Sequence, residues 1–193
     1  MADLISHGLN VHLVGQGAME LAVALGVTSA ELESADVAVF LVSAKDGIVR
    51  ADSDKWLVAR DLYIPSIVVI TDLSATNETD FEDMAAIAGR ILDPVVTPYL
   101  VLHQEDGSPI ALIDLLTQNI RDYSTGVLVH GDSEHEHQDV VSEFRDEYQE
   151  LIEATGEEAF ENGLLYPAIP WIQGGAMGLL EIADYLNRIP ITR

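Results

Sequence analysis

The feature that most restricts what this chain can fold into is the run Val37-Ala38-Val39-Phe40-Leu41-Val42-Ser43, whose first six residues carry no polar side chain. A strand with one wet face alternates apolar and polar residues. An unbroken run rich in β-branched residues marks a strand covered on both faces, as in a parallel sheet between helical layers. Four further segments share this short, apolar character: Asn10 to Val14, Ser66 to Thr71, Thr97 to Leu102 and Ala168 to Ile172. Helical periodicity follows them, at Ala18 to Leu25, Asp52 to Leu62, Thr79 to Leu92, Asp139 to Ala154 and Ala176 to Asn187. In the third of these helices, Asp80 and Glu82 load the first turn. Phe81, Met84, Ala85, Ala88 and Ile91 then form one apolar stripe, and Asp93-Pro94 ends it. The alternation of buried strands and helices predicts an α/β fold of three layers, doubly wound around a mainly parallel sheet of about five strands. Glu105-Asp106-Gly107, between Tyr99-Leu-Val-Leu and Ile110-Ala-Leu-Ile, adds a hairpin signal and hence a small antiparallel insert.

With 193 residues, 48% apolar and 22% charged, one domain over residues 1–193 is the expectation, with residues 103–163 as a reduced insert inside it. There is no cysteine, which removes disulfides, thiol nucleophiles and thiolate metal sites together. Acids outnumber bases 33 to 9, and the net charge of -24 repels phosphate backbones, which excludes independent nucleic-acid binding. No apolar run is long enough for a membrane span. Met1-Ala2-Asp3-Leu4 lacks the basic start of a signal peptide, so a cytoplasmic location is expected. The acids concentrate between Asp132 and Glu161, where Arg145 is the only basic residue. Such a stretch is either a solvated face or a docking surface for a basic partner.

From Ala35 onward the order of landmarks resembles the GTPase domain of translation elongation factor G and its elongation factor G-like relatives. Ala35-Asp36 opens a strand, Ala44-Lys45-Asp46-Gly47-Ile48 follows it, and Trp56 and Ala59 sit on the next helix. Ile64-Pro65-Ser66-Ile67-Val68-Val69-Ile70 then leads to the place of the family's Asn-Lys-x-Asp motif. Ile110-Ala-Leu-Ile-Asp-Leu-Leu116 is similar to the family's Gly-x-Ile-Asp-Leu segment. Pro170-Trp-Ile-Gln-Gly-Gly-Ala-Met177, with Leu180 to Leu186, is similar to the Ser-Ala strand and its closing helix. The resemblance implies a P-loop NTPase-like GTPase fold from which the N-terminal part is deleted. The segment from Ser6 to Ala35 reads either as the Asp-x-x-Gly strand with its helix or as the first strand after an internal deletion. In either case Asn10 to Val14 is predicted to pair directly with Val37 to Ser43, because a missing central strand would leave backbone hydrogen-bonding groups unsatisfied.

The residues the family uses on GTP are absent. No Gly-x4-Gly-Lys-Ser/Thr occurs, and the nearest stretch, Gly15-Gln16-Gly17-Ala18-Met19-Glu20, puts an acid where a cation should neutralise phosphate. Thr71-Asp72-Leu73-Ser74 stands at the guanine motif, so no fourth-place carboxylate remains, and Gly175-Ala176 stands at the Ser-Ala motif. Gly15, Gly17, Thr71, Asp72, Ser74, Gly175 and Ala176 are therefore vestigial nucleotide-site positions, with no catalytic residue, no metal and no cofactor expected.

Three other patterns bear on chemistry. Val14-Gly15-Gln16-Gly17 also suggests a dinucleotide-binding turn, but Glu20 replaces its third glycine and no acid follows Val42-Ser43-Ala44 for a ribose, which favours a plain tight turn. His130, His135 and His137 with Glu134, Glu136 and Asp139 suit zinc or nickel as well as a polar loop. Asp52, Asp54 and Asp61 sit around a helix start and its exposed side, where the dipole at the start accounts for the first two. The functional expectation is a pseudo-GTPase acting through protein contacts, by self-association or with a partner of the translation apparatus. Self-association follows from the strand edge that a deletion would expose. The alternatives are a GTP-binding protein, with magnesium, completed by a partner chain, and a nucleotide or dinucleotide enzyme built on the Gly15–Gly17 turn.

Overall fold

The computed structural model describes residues 4–5, 8–74, 76, 78–132 and 135–191, without the side chains of 132, 135–140 and 143. Five parallel strands form the central sheet: β1 (Val11–Gly15), β2 (Val37–Ser43), β3 (Ser66–Thr71), β4 (Val95–Val96) and β9 (Tyr166–Pro170), in the order β1-β2-β3-β9-β4. Four antiparallel strands form a second sheet in chain order: β5 (Tyr99–His103), β6 (Pro109–Asp114), β7 (Asn119–Asp122) and β8 (Val129–Asp132). The helices are α1 (Ala18–Leu25), α2 (Arg50–Asp61), α3 (Phe81–Ile91), α4 (His135–Thr155) and α5 (Leu179–Leu186).

All seven residues of β2 and all six of β3 are buried. Their neighbours show why. Phe40 stacks edge-on against Trp56 of α2 at 4.9 Å, whereas Leu41 faces the turn that starts α1, its Cδ2 3.5 Å from where a Cβ on Gly17 would stand. Successive strand residues point to opposite faces, so α1 and α2 lie on opposite sides of the sheet. This is the expected three-layer arrangement. Trp56 continues the contact to Tyr166 of β9 at 4.9 Å, and its indole N–H donates to Asp93 at 2.7 Å, just after α3. One aromatic side chain thus joins β2, β9 and the end of α3, and its burial is worth about 3 kcal/mol.

The predicted pairing of β1 with β2 is present in register, Val11 opposite Val37 through Gly15 opposite Leu41. Two expectations fail. Thr97 to Leu102 is not a strand of the parallel sheet. Pro98 has no N–H to give a ladder, and it divides the segment between β4 and β5, which belongs to the antiparallel sheet. The second failure concerns the edge of β1, which is not bare. After α1 the chain passes along it: Ala30 N donates to Val11 O at 2.8 Å, and Ser29 Oγ accepts from Leu13 N at 2.9 Å. Smaller differences concern bounds: β9 starts at Tyr166, α4 at His135 and α5 at Leu179.

Candidate functional site

In an open parallel sheet, ligands bind where the strands end at their carboxyl edge, because loops and helix N-termini converge there. Here that edge carries Gly15-Gln16-Gly17 after β1, Ala44 to Gly47 after β2, Thr71 to Ser74 after β3, and Trp171 to Gly178 after β9. Gly15, Gly17, Thr71, Asp72, Ser74, Gly175 and Ala176 all lie on it.

Gly15 has φ 107°, and a Cβ there would overlap the Leu41 carbonyl oxygen. Its glycine is thus required by the approach of β1 to β2, whatever the turn once held. Gly17, φ 90°, is the N-cap of α1 and has no side chain to cap the helix. Gln173, far away in sequence, returns to this turn: its Nε2 donates to Glu20 Oε2 at 3.0 Å. A Cβ on Gly17 would lie 2.6 Å from the same Gln173 nitrogen. The Gly15–Gly17 turn is therefore crossed by a side-chain bridge between α1 and the loop after β9, and the bridge places a carboxylate there.

The remaining positions serve local structure. Thr71 is fully buried, and its hydroxyl lies 3.4 Å from Val42 O and from Asp72 Oδ2. Asp72 has φ 55°. Ser74 Oγ is 3.0 Å from the Thr76 hydroxyl. Gly175 N closes a turn onto Ile172 O at 2.9 Å, and Ala176 O accepts from Leu179 N at 3.3 Å.

A polar cluster that sequence spacing did not disclose lies just behind this edge. Glu181, on the first turn of α5, is fully buried. Its carboxylate accepts from Gly178 N at 3.0 Å, from Tyr123 OH at 2.6 Å and from Arg121 Nη1 at 3.1 Å. Arg121, on β7, also reaches Asp184 at 3.1 Å and lies over the Tyr99 ring at 5.5 Å. Burial opposes the Arg121 charge, but Tyr99, Glu181 and Asp184 outweigh it and hold the guanidinium above its ordinary pKa. Burial first, and then the bond to Glu181, push the Tyr123 hydroxyl up. Only the composition hinted at this cluster: a lone Arg121 among many acids has few other places to go.

Among the described residues, no group of three His, Asp or Glu side chains is placed to hold a metal. His130 is exposed on β8. The other members of that histidine and acid cluster, Glu134, His135, Glu136, His137 and Asp139, lie outside the described residues or have undescribed side chains. Asp52 sits in the first turn of α2, and Asp61 pairs with Arg60 at 3.0 Å, in keeping with surface roles.

No protein-family model matches the chain. It is 25% identical over 212 aligned positions to an elongation factor G-like protein of Mycobacterium tuberculosis, in strains CDC 1551 and H37Rv alike, across 97% of this chain. The chain is a homologue of the elongation factor G-like proteins. A crystal structure of a Thermus thermophilus protein superposes on 90% of this homologue with a TM-score of 0.71 and 26% identity. The chain spans 29% of the Mycobacterium relative and 28% of the Thermus chain. It is a translation-factor-type, GTPase-related domain. No described helix of this elongation factor G-like homologue is long and apolar enough to cross a membrane.

Proposed function

We propose that this chain is a pseudo-GTPase: an elongation factor G-like domain that does not hydrolyse GTP and acts in the cytoplasm through protein contacts, with a partner of the translation apparatus or with a second copy. The observation that carries the reading is the bridge between Glu20 and Gln173 at 3.0 Å. A nucleotide's phosphates need backbone N–H groups, a lysine and a metal-bound hydroxyl. At this turn they would meet a carboxylate. The guanine and Ser-Ala positions, Thr71 to Ser74 and Gly175, lack the groups that would compensate. Titration calorimetry with GTP and GDP in the presence of magnesium tests it: no heat of binding is expected, and micromolar binding would overturn the reading.

A second reading starts from the missing motif. No Gly-x4-Gly-Lys-Ser/Thr occurs in these 193 residues, so a GTP site built on this domain would take its phosphate loop from a partner chain. It predicts nucleotide binding only with that polypeptide present.

A further inference from the structure

Glu181 touches the two halves of the molecule at once. One carboxylate oxygen, Oε2, holds the Gly178 amide at the end of the loop after β9. The other, Oε1, holds Tyr123 and Arg121 on the antiparallel sheet. The loop that ends at Gly178 begins beside Gln173, whose side chain reaches Glu20 on α1. Between these points the backbone has little slack. Ile172 N is bonded to Met177 O at 3.2 Å and Gly175 N to Ile172 O at 2.9 Å, and a Cβ on Gly178 would overlap Pro170 O.

We propose that Glu181 is a buried relay that couples the antiparallel sheet to the carboxyl-edge loop, so that whether Arg121 holds Glu181 governs how firmly Gln173 closes on Glu20. The physical basis is charge. A fully buried carboxylate tolerates loss of its cation poorly, because neither water nor another basic group replaces it. Arg121 leaves Glu181 only if α5's first turn moves to expose the carboxylate, and that movement releases Gly178. Arg121 is itself poised for exchange. Its side chain is 18% exposed, and the same Nη1 atom that meets Glu181 also meets Asp184, which is 59% exposed. A ligand or partner that draws the guanidinium outward along Asp184 therefore acts on the loop. The coupling runs both ways, as any equilibrium coupling must. It does not depend on whether the carboxyl edge ever takes a nucleotide.

Amide hydrogen exchange on the full chain tests it, residue by residue. In Arg121→Met and Glu181→Gln, the Gly175 and Gly178 amides should exchange about tenfold faster or more, while Val39 and Val69 in the central strands stay within about twofold of wild type. Asp184→Asn, which leaves the Glu181 contacts in place, should leave Gly178 within about twofold. In the reverse direction, Glu20→Ala or Gln173→Ala, both at exposed positions, should speed exchange at the Arg121 amide by about threefold. If the two main variants fail to fold, the reverse pair decides. Acceleration confined to β6 and β7, equal acceleration of all amides, or no response of β7 to Glu20→Ala would each overturn the relay.

Discussion

Gly15→Ala separates two explanations of the turn after β1. If Gly15 is there because β1 and β2 lie so close, the substitution attacks the fold itself. A left-handed or mirror-region φ of 107° costs an alanine roughly 1–3 kcal/mol. The new methyl also overlaps the Leu41 carbonyl, and β2 cannot retreat, because it is paired with β1 on one side and β3 on the other. Overpacking of that kind adds roughly 1–3 kcal/mol. Alanine's smaller unfolded-state entropy returns about 0.5–1 kcal/mol, leaving a loss of about 3 kcal/mol. For a chain of this size that lowers Tm by about 6–12 °C. Gly26→Ala supplies the reference. Gly26 also has positive φ, 72°, but nothing lies within 4 Å of its added Cβ, so it reports backbone strain of about 1–2 kcal/mol, less the same unfolded-state entropy and with no overpacking. Urea unfolding followed by far-UV dichroism and by tryptophan fluorescence gives both values. If Gly15→Ala costs no more than Gly26→Ala, the close approach of β1 to β2 is not what fixes the glycine.

The tyrosines predict the alkaline limit of stability. Burial raises the hydroxyl pKa of Tyr99, Tyr123 and Tyr185 in the fold. A raised folded pKa gives stability that is complete below the unfolded value of about 10 and is lost as pH climbs past it. The unfolding free energy should then fall by up to about 1.4 kcal/mol per pH unit for each such tyrosine. Phenolate absorbance of these three tyrosines should appear together with unfolding, and ionisation of all six tyrosines while near-UV dichroism stays native would contradict it. Charge predicts the response to salt: at -24, self-repulsion is screened as the Debye length falls from about 10 Å at 0.1 M to about 3 Å at 1 M. Calorimetric Tm should rise by several degrees over that range of sodium chloride, and a flat or falling Tm would refute the point.

The strands legible without error are those whose surroundings allow one reading. Val37 to Ser43 and Ser66 to Thr71 are apolar throughout because helices cover both faces, and their observed bounds match residue for residue. Thr97 to Leu102 misled for the same reason. Leu100 and Leu102 on its second face pack into a separate small core with Val141 and Tyr148 of α4, so an antiparallel strand acquired the unbroken apolar look of a parallel one. The short polar strands Asn119–Asp122 and Val129–Asp132 carry no such pattern. At the carboxyl edge, what is missing could be read from residue identity. What has replaced it could not, since Glu20 and Gln173 are 153 residues apart, and Arg121 and Glu181 are 60 apart.

The covered edges change what a protein-contact role requires. Self-association through an exposed strand needs a row of free backbone groups, and this fold does not offer one at β1, where Ser29 and Ala30 already occupy Leu13 N and Val11 O. At β5, Glu82 Oε1 lies 3.5 Å from Val101 N, and burial pushes the pKa of that carboxyl up. Backbone pairing is thus opposed at β1 and hindered at Val101 of β5, at some electrostatic cost in the case of Glu82. At these two edges recognition would use side chains instead. Met19 and Val23 on α1 are 82% and 79% exposed, and Val49 at the start of α2 is 58% exposed. Met19 and Val49 flank the same carboxyl edge that Glu20 and Gln173 close. On the pseudo-GTPase reading proposed above, an edge that carries the Glu20–Gln173 bridge and apolar side chains on its rim would meet a protein surface rather than a polyphosphate.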